Sequence, residues 1–569
     1  MGEGILAAKS RWWLAALGLA IMVAGAFLAQ SIRTANGVTV SDIRFAGAKG
    51  AQMSALLYVP ANASPTAKAP GILAVHGYIN SRETQDGFAI EFAQRGYVVL
   101  SIDQRGHGYS DGPAFADGFG GPDALAYLRS LPIVDTTQIG LEGHSMGGWT
   151  VLAAAAAMPE AYTSIVLEGS STGAPFAKDG SPIWPRNLAL VFSKYDEFSQ
   201  IMWGVGRAMD VNDSAKLQAV FGTKAPVTER KLYGDIADGT ARVLYQPATT
   251  HPGDHISPTA IGHATDWFAR TLKGGTPKPA SDQIWHWKEF GTGIGLIGFV
   301  LLLLGTFDTL IRLPFFASLQ AAAVPAAEAR DGKYWRAFAL NTALPALLFF
   351  PTFIFAYLLL TPSVVLPQAV TTQITLWALT GAGIPLLIAR LRGGGATGPQ
   401  SDWPRALLIA IATVAIGYAA LLLVDRVFHT DIRFWVVAVK LPSVSQLGIA
   451  AIYVVPLTLA FLVTLRTMSA MTVRGDGTLR RYASAVLMLT TGFIVLLGII
   501  YGLFFATGTL ITAFDPLSTV IALQFVPVLA AIAVIGVFTW ARTGSHRAGG
   551  LMVGILVTLY AVAGTATQA

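Results

Sequence analysis

The chain has 569 residues, of which 13% are charged and 53% apolar. Soluble globular proteins carry about 25% charged residues, so this composition excludes a wholly water-exposed fold and calls for segments that face lipid. The net charge of +6 then belongs to basic loops at a membrane rather than to a nucleic-acid surface, and the absence of cysteine excludes disulfides, a thiol nucleophile and thiolate metal sites.

Residues 12 to about 32 (WWLAALGLAIMVAGAFLAQSI) carry no charge and are long enough to cross a bilayer, and Lys9 and Arg11 precede them. A retained anchor over residues 1–35 is expected, with a cleaved signal peptide as the alternative. Residues 36–280 change character. LLYV, GILAVHG, YVVLSID, IGLEG, SIVLEG, LALVFS and RVLYQP read as strands, with helical patterns between them near 85–95, 121–131 and 146–157. Such alternation implies a mainly parallel sheet with helices on both faces. From 285 to 569 the chain is apolar again. It opens on IWHWKEF, with Trp285 and Trp287 placed for an interfacial belt, and continues as about eight spans that form an all-α transmembrane bundle.

Loop charges give an orientation. With the N-terminus inside, the inner segments hold Lys9, Arg11, Arg312, Arg330, Lys333, Arg336, Arg390, Arg392, Arg405, Arg466, Arg474, Arg480, Arg481, Arg542 and Arg547, whereas the short outer loops hold Arg426, Arg433 and Lys440. Positive charge favours the cytoplasmic side. The segment 36–280 follows an odd-numbered span and is therefore expected outside the cytoplasm, with a bacterial plasma membrane the expected location.

Gly143-His144-Ser145-Met146-Gly147 follows the strand IGLEG and opens the helical run WTVLAAAAA. A Gly-x-Ser-x-Gly between strand and helix is a nucleophile elbow, which lifts a serine hydroxyl above a sheet. His76-Gly77-Tyr78 ends the strand GILAV, where the amides of Tyr78 and Met146 can form an oxyanion hole. In Asp103-Gln104-Arg105-Gly106-His107-Gly108, Arg105 and His107 are expected to brace loops rather than to take part in chemistry. No metal-ligand cluster or cofactor fingerprint is present, so neither metal nor cofactor is expected. Gly393, Gly394 and Gly395 have no strand before them and read as a turn.

VHGYINSRE, SIDQRGHGYSDG and IGLEGHSMGGW resemble the α/β-hydrolase superfamily, in particular its esterase, dienelactone-hydrolase-like and prolyl-oligopeptidase-like branches. The resemblance covers roughly residues 38–275 and implies a serine, an acid and a histidine in that chain order. The histidine is then sought after the strand RVLYQP, where His255 precedes the last helix and is the expected base, with His251 as the alternative. Asp196, after LALVFS, is the expected acid and Glu168 its competitor. Phe198, Met202, Trp203 and Phe221 lie in an unusually long connection between acid and base. They read either as a lid or as core.

The expected function is hydrolysis of a carboxylic ester, on an acyl substrate that is lipid-like or amphiphilic, beside membrane lipids. An acyltransferase or a peptidase or amidase with the same triad is the first alternative. A transporter-like membrane protein with an accessory hydrolase is the second. Asp308 and Asp515 are among the few charges near spans, which disfavours coupled transport.

Overall fold

In the computed structural model, residues 12–79, 81–391 and 402–569 are described. Lys9, Arg11, Arg392 and Gly393–Gly395 lie outside them. The chain divides into two compact units, one of residues 27–290, 499–520 and 564–569, the other of residues 1–26, 291–498 and 521–563.

The first unit is built on an eight-stranded sheet: β1 (Thr39–Ala46), β2 (Gln52–Val59), β3 (Ala69–Val75), β4 (Val98–Asp103), β5 (Val134–His144), β6 (Ser164–Glu168), β7 (Leu188–Val191) and β8 (Arg242–Tyr245), in the order β1-β2-β4-β3-β5-β6-β7-β8. β1, β2 and β4 pair antiparallel, and β4 through β8 pair parallel. The parallel strands read as unbroken apolar runs because both faces are covered; all seven residues of β3 are buried. One core lies against the helices Gly121–Ser130 and Met146–Ala157, the other against Asp86–Ala93 and Pro258–Thr271.

Trp285 does not stand at an interface. It is 4% exposed and belongs to the second of these cores, while Trp287 is half exposed. The next residue, Lys288, is buried with its Nζ 3.0 Å from Asp86 Oδ2. Arg33, also buried, reaches the same carboxylate at 3.7 Å, and the Tyr58 hydroxyl donates to it at 2.5 Å. Two buried cations around one anion, rather than the aromatic pair, fix this stretch. A lone buried charge would be strongly destabilising.

Among the described residues, nine helices are long and apolar enough to cross a membrane by length and composition, from Trp12–Arg33 to Arg547–Gly564. In the second unit, residues of Trp12–Arg33 pack antiparallel on Trp285–Leu310 through small residues. A Cβ on Gly18 would lie 2.3 Å from the Leu302 amide nitrogen, and one on Gly305 would lie 2.1 Å from that of Ala15. Small residues let backbones approach where hydrocarbon gives no hydrophobic drive. Asp308 is paired with both Arg312 and Arg542, so it acts as an ion-pair centre rather than a lone intramembrane charge.

Candidate active site

The carboxyl ends of β3, β5, β7 and β8 converge, the usual place for a ligand in a parallel sheet. Ser145 sits between β5 and the helix Met146–Ala157 with φ 54° and ψ −120°. That conformation is strained for a residue with a side chain. Two things hold it. Its N–H donates to the Glu168 carbonyl at 2.8 Å. The flanking glycines allow the helix to press on the sheet: a Cβ on Gly147 would lie 2.1 Å from the Val75 carbonyl oxygen, and one on Gly143 2.3 Å from that of Gly147. The lack of a Cβ on Gly143 and Gly147 therefore makes the elbow possible.

Tyr78 follows β3, and a Cβ built on the adjacent Gly77 would lie 3.1 Å from the Ser145 Cβ. The loop after β4 supports this turn. Gln104 donates its backbone N–H to His76 Nε2 at 3.2 Å, which leaves His76 Nδ1 to donate to the Gly77 carbonyl at 2.6 Å. Arg105 ties the loop together through Asp117 and the carbonyls of Asp111 and Gly112. His107 packs edge-on against the rings of His76 and Tyr78. Bracing is thus the role in which the structure shows Arg105 and His107.

Asp196 is fully buried beyond β7. Its Oδ1 accepts the Phe198 amide at 2.8 Å, and its Oδ2 lies 2.8 Å from Nδ1 of His251. A carboxylate oxygen accepts, so Nδ1 carries the proton and Nε2 is free to act as a base. The partner of Asp196 is therefore His251, and the expected pairing with His255 is not formed. The physical reason is strand register. β7 and β8 continue side by side past their ends, with Tyr195 bridged to Thr250, which brings Asp196 alongside His251. The chain then turns into the short helix Pro252–Ile256 and carries His255 away, to lie tilted 4.0 Å from the His144 ring and edge-on to Phe88.

Burial holds the His251 imidazole down to about 3 and pushes the Asp196 carboxyl up, against the charged form that accepts from Nδ1. The Phe198 amide opposes this on Asp196. A neutral imidazole at rest is what a general base requires. Further bonds fix His251: its N–H donates to Glu197 Oε2 at 2.8 Å, and its carbonyl accepts from His144 Nε2 at 2.9 Å. Glu168 lies at the end of β6, fully buried, and its carboxyl is pushed up by burial, by Asp254 and by Glu142.

Met202, Trp203 and Phe221 belong to the apolar core, and Trp203 donates its indole N–H to the Ser170 carbonyl. Only Phe198 of the four expected lid or core residues touches the site, with its ring 4.3 Å from that of His251. Sequence reasoning missed an aromatic wall. Tyr78 stacks on Phe115, Phe115 stacks on Phe176, and Phe176 meets Trp149 one helical turn beyond Ser145. Phe115 and Phe176 are 37% and 49% exposed. Glu197 and Tyr501 were also missed; the Tyr501 hydroxyl bonds Glu197 Oε1 at 2.8 Å.

Comparison with known proteins agrees with this fold. Residues 70–199 match the family described as alpha/beta hydrolase fold, and residues 12–122 match the acetyl xylan esterase family. An uncharacterized protein of Mycobacterium tuberculosis and one of Mycobacterium bovis are each 32% identical over 98 residues, covering 17% of this chain. That stretch spans 28% of the length of these curated relatives. Among solved structures, the α/β hydrolase GrgF from a Penicillium species is 17% identical with a TM-score of 0.30, covering 41% of this chain and 99% of its own. An esterase of Pyrococcus furiosus is likewise 17% identical with a TM-score of 0.30, covering 41% and 94%. With the strand order and the family match in agreement, the chain carries an α/β-hydrolase domain of a kind that includes esterases, together with a helical region of long apolar helices.

Proposed function

We propose that this protein is a membrane-embedded serine hydrolase that cleaves a carboxylic ester. Ser145 is the nucleophile, His251 the general base, and Asp196 the residue that orients His251. The single observation that carries the reading is the 2.8 Å hydrogen bond between Asp196 and His251, formed beyond the same sheet edge that presents Ser145 in its positive-φ elbow.

In this reading Ser145 Oγ attacks the ester carbonyl while His251 Nε2 takes its proton. The amides of Tyr78 and Met146 receive the oxyanion, the latter from the first turn of a helix whose N-terminus favours negative charge. His251 then protonates the leaving alcohol, and water releases the acyl group by the same route in reverse. The exposed rings of Phe115 and Phe176 suit an apolar acyl or alcohol group, which supports a lipid-like or amphiphilic ester. Residues 1–35 act as anchor, 36–280 as catalytic domain and 285–569 as membrane domain. The loop charges support a catalytic domain outside the cytoplasm.

The test is turnover of p-nitrophenyl esters of increasing acyl length by the full-length protein in detergent. Ester turnover that rises with chain length and vanishes in Ser145→Ala supports the reading. Equal turnover in Ser145→Ala contradicts it.

A further inference from the structure

Glu197 stands immediately after the acid Asp196, and it is 2% exposed. Each of its carboxyl oxygens has one partner. Oε2 takes the backbone N–H of His251 at 2.8 Å, and Oε1 is bonded by the Tyr501 hydroxyl at 2.8 Å. Tyr501 lies near the C-terminal end of the apolar helix Thr478–Thr507. Its neighbours strengthen the contact. The rings of Phe504 and Phe505 meet Tyr195 edge-on at 6.1 and 5.1 Å. Thr509 forms an antiparallel bridge with Arg207, and Gly508 packs on Met209 and Arg207. Residues 499–520 belong to the same compact unit as the sheet.

Burial and the neighbouring Asp196 push the Glu197 carboxyl up to about 8, while the bonds it accepts from His251 and Tyr501 act the other way. In the structure both oxygens accept, Oε2 from the His251 N–H and Oε1 from the Tyr501 hydroxyl. A glutamine side chain can keep both bonds: its carbonyl oxygen accepts the His251 N–H, and its amide N–H donates to a Tyr501 hydroxyl turned to accept.

We propose that Glu197 and Tyr501 are positioning residues: their hydrogen bond latches the loop that carries His251 to the end of an apolar helix far along the chain, and so sets the reach of His251 to Ser145. The inference rests on the reading of His251 as the base. Neither residue touches substrate. Their effect falls on the chemical step, because a base displaced by a fraction of an ångström loses rate without loss of substrate binding.

The experiment compares Tyr501→Phe, Glu197→Ala and Glu197→Gln in the full-length protein in detergent, with kcat and KM measured separately on a short-chain p-nitrophenyl ester. Tyr501→Phe removes one hydrogen bond and keeps the ring. It is expected to lower kcat about tenfold, the scale of one such bond, with KM within about twofold. Glu197→Ala is expected to lower kcat further, and Glu197→Gln to restore most of that loss. If Glu197→Ala does not fold, the comparison of Tyr501→Phe with Glu197→Gln decides. Unchanged kcat in Tyr501→Phe, or a change confined to KM, overturns the inference. Full turnover in His251→Ala instead overturns the underlying assignment of the base, so the two failures are distinguishable.

Discussion

The substitution Asp196→Asn probes the acid without emptying the site. Oδ1 of Asp196 accepts the Phe198 amide at 2.8 Å while Oδ2 faces His251 Nδ1 at 2.8 Å. In the variant the Phe198 N–H still requires an acceptor, so the Asn carbonyl oxygen stays on that side and the Asn amide group faces His251. An amide N–H donates, so Nδ1 must become an acceptor and the ring proton moves to Nε2. That tautomer cannot take the Ser145 proton. The loss expected for a histidine held in the wrong tautomer is about 10,000-fold in kcat, or about 5.4 kcal/mol at 1.36 kcal/mol per decade. Folding is expected to survive, since the shape and the Phe198 bond are kept. Ester turnover, with melting temperature as the folding control, reads both quantities. A kcat within tenfold of the unaltered protein would refute the assignment. The parallel variant Glu168→Gln is expected to stay within about tenfold, because no bond from Glu168 to His251 is part of the scheme.

Three further outcomes follow from the same geometry. His251→Ala is expected to lose several orders of magnitude in kcat, whereas His255→Ala removes a buried ring, costs about 2–4 kcal/mol of stability and retains turnover; the reverse ranking returns the base to His255. Because burial holds His251 down to about 3, the imidazole stays neutral well below the usual 6.5, and kcat/KM is expected to persist at pH 5. An acid limb at or above 6.5 would contradict that environment. A reporter active only outside the cytoplasm, fused after residue 280, is expected to give signal, and one fused between Arg474 and Arg481 to give none; the opposite pattern overturns the charge-derived orientation.

Most of the sheet was legible because a strand covered on both faces must be an apolar run, and β2 through β8 each contain one. β1 was not. Its sequence TVSDIRFA places Asp42 and Arg44 on a strand with only Val40 and Phe45 buried, a pattern too weak to separate from a loop. The elbow was legible because its glycines are required by backbone approach rather than by any distant contact. The histidine partner of Asp196 was misplaced because proximity to the final helix was weighed above register. Leu188 pairs with Arg242 and Val191 with Tyr245; past the strand ends the pairing slips by one residue, Tyr195 is bridged to Thr250, and Asp196 comes level with His251. Trp285 was read as interfacial because an aromatic before an apolar span has that meaning on average, whereas the Asp86 carboxylate that draws Lys288 inward lies about 200 residues upstream. Tyr501 gave no local sign at all, since its partner Glu197 is 304 residues away.

The central claim is that Ser145 is an activated nucleophile. It is tested most directly by treating the full-length protein with a fluorophosphonate and mapping the adduct by peptide mass spectrometry. The account predicts one adduct, on Ser145, that is lost in Ser145→Ala and strongly slowed in His251→Ala. No adduct on folded protein, or an adduct on another residue that persists in Ser145→Ala, would contradict it.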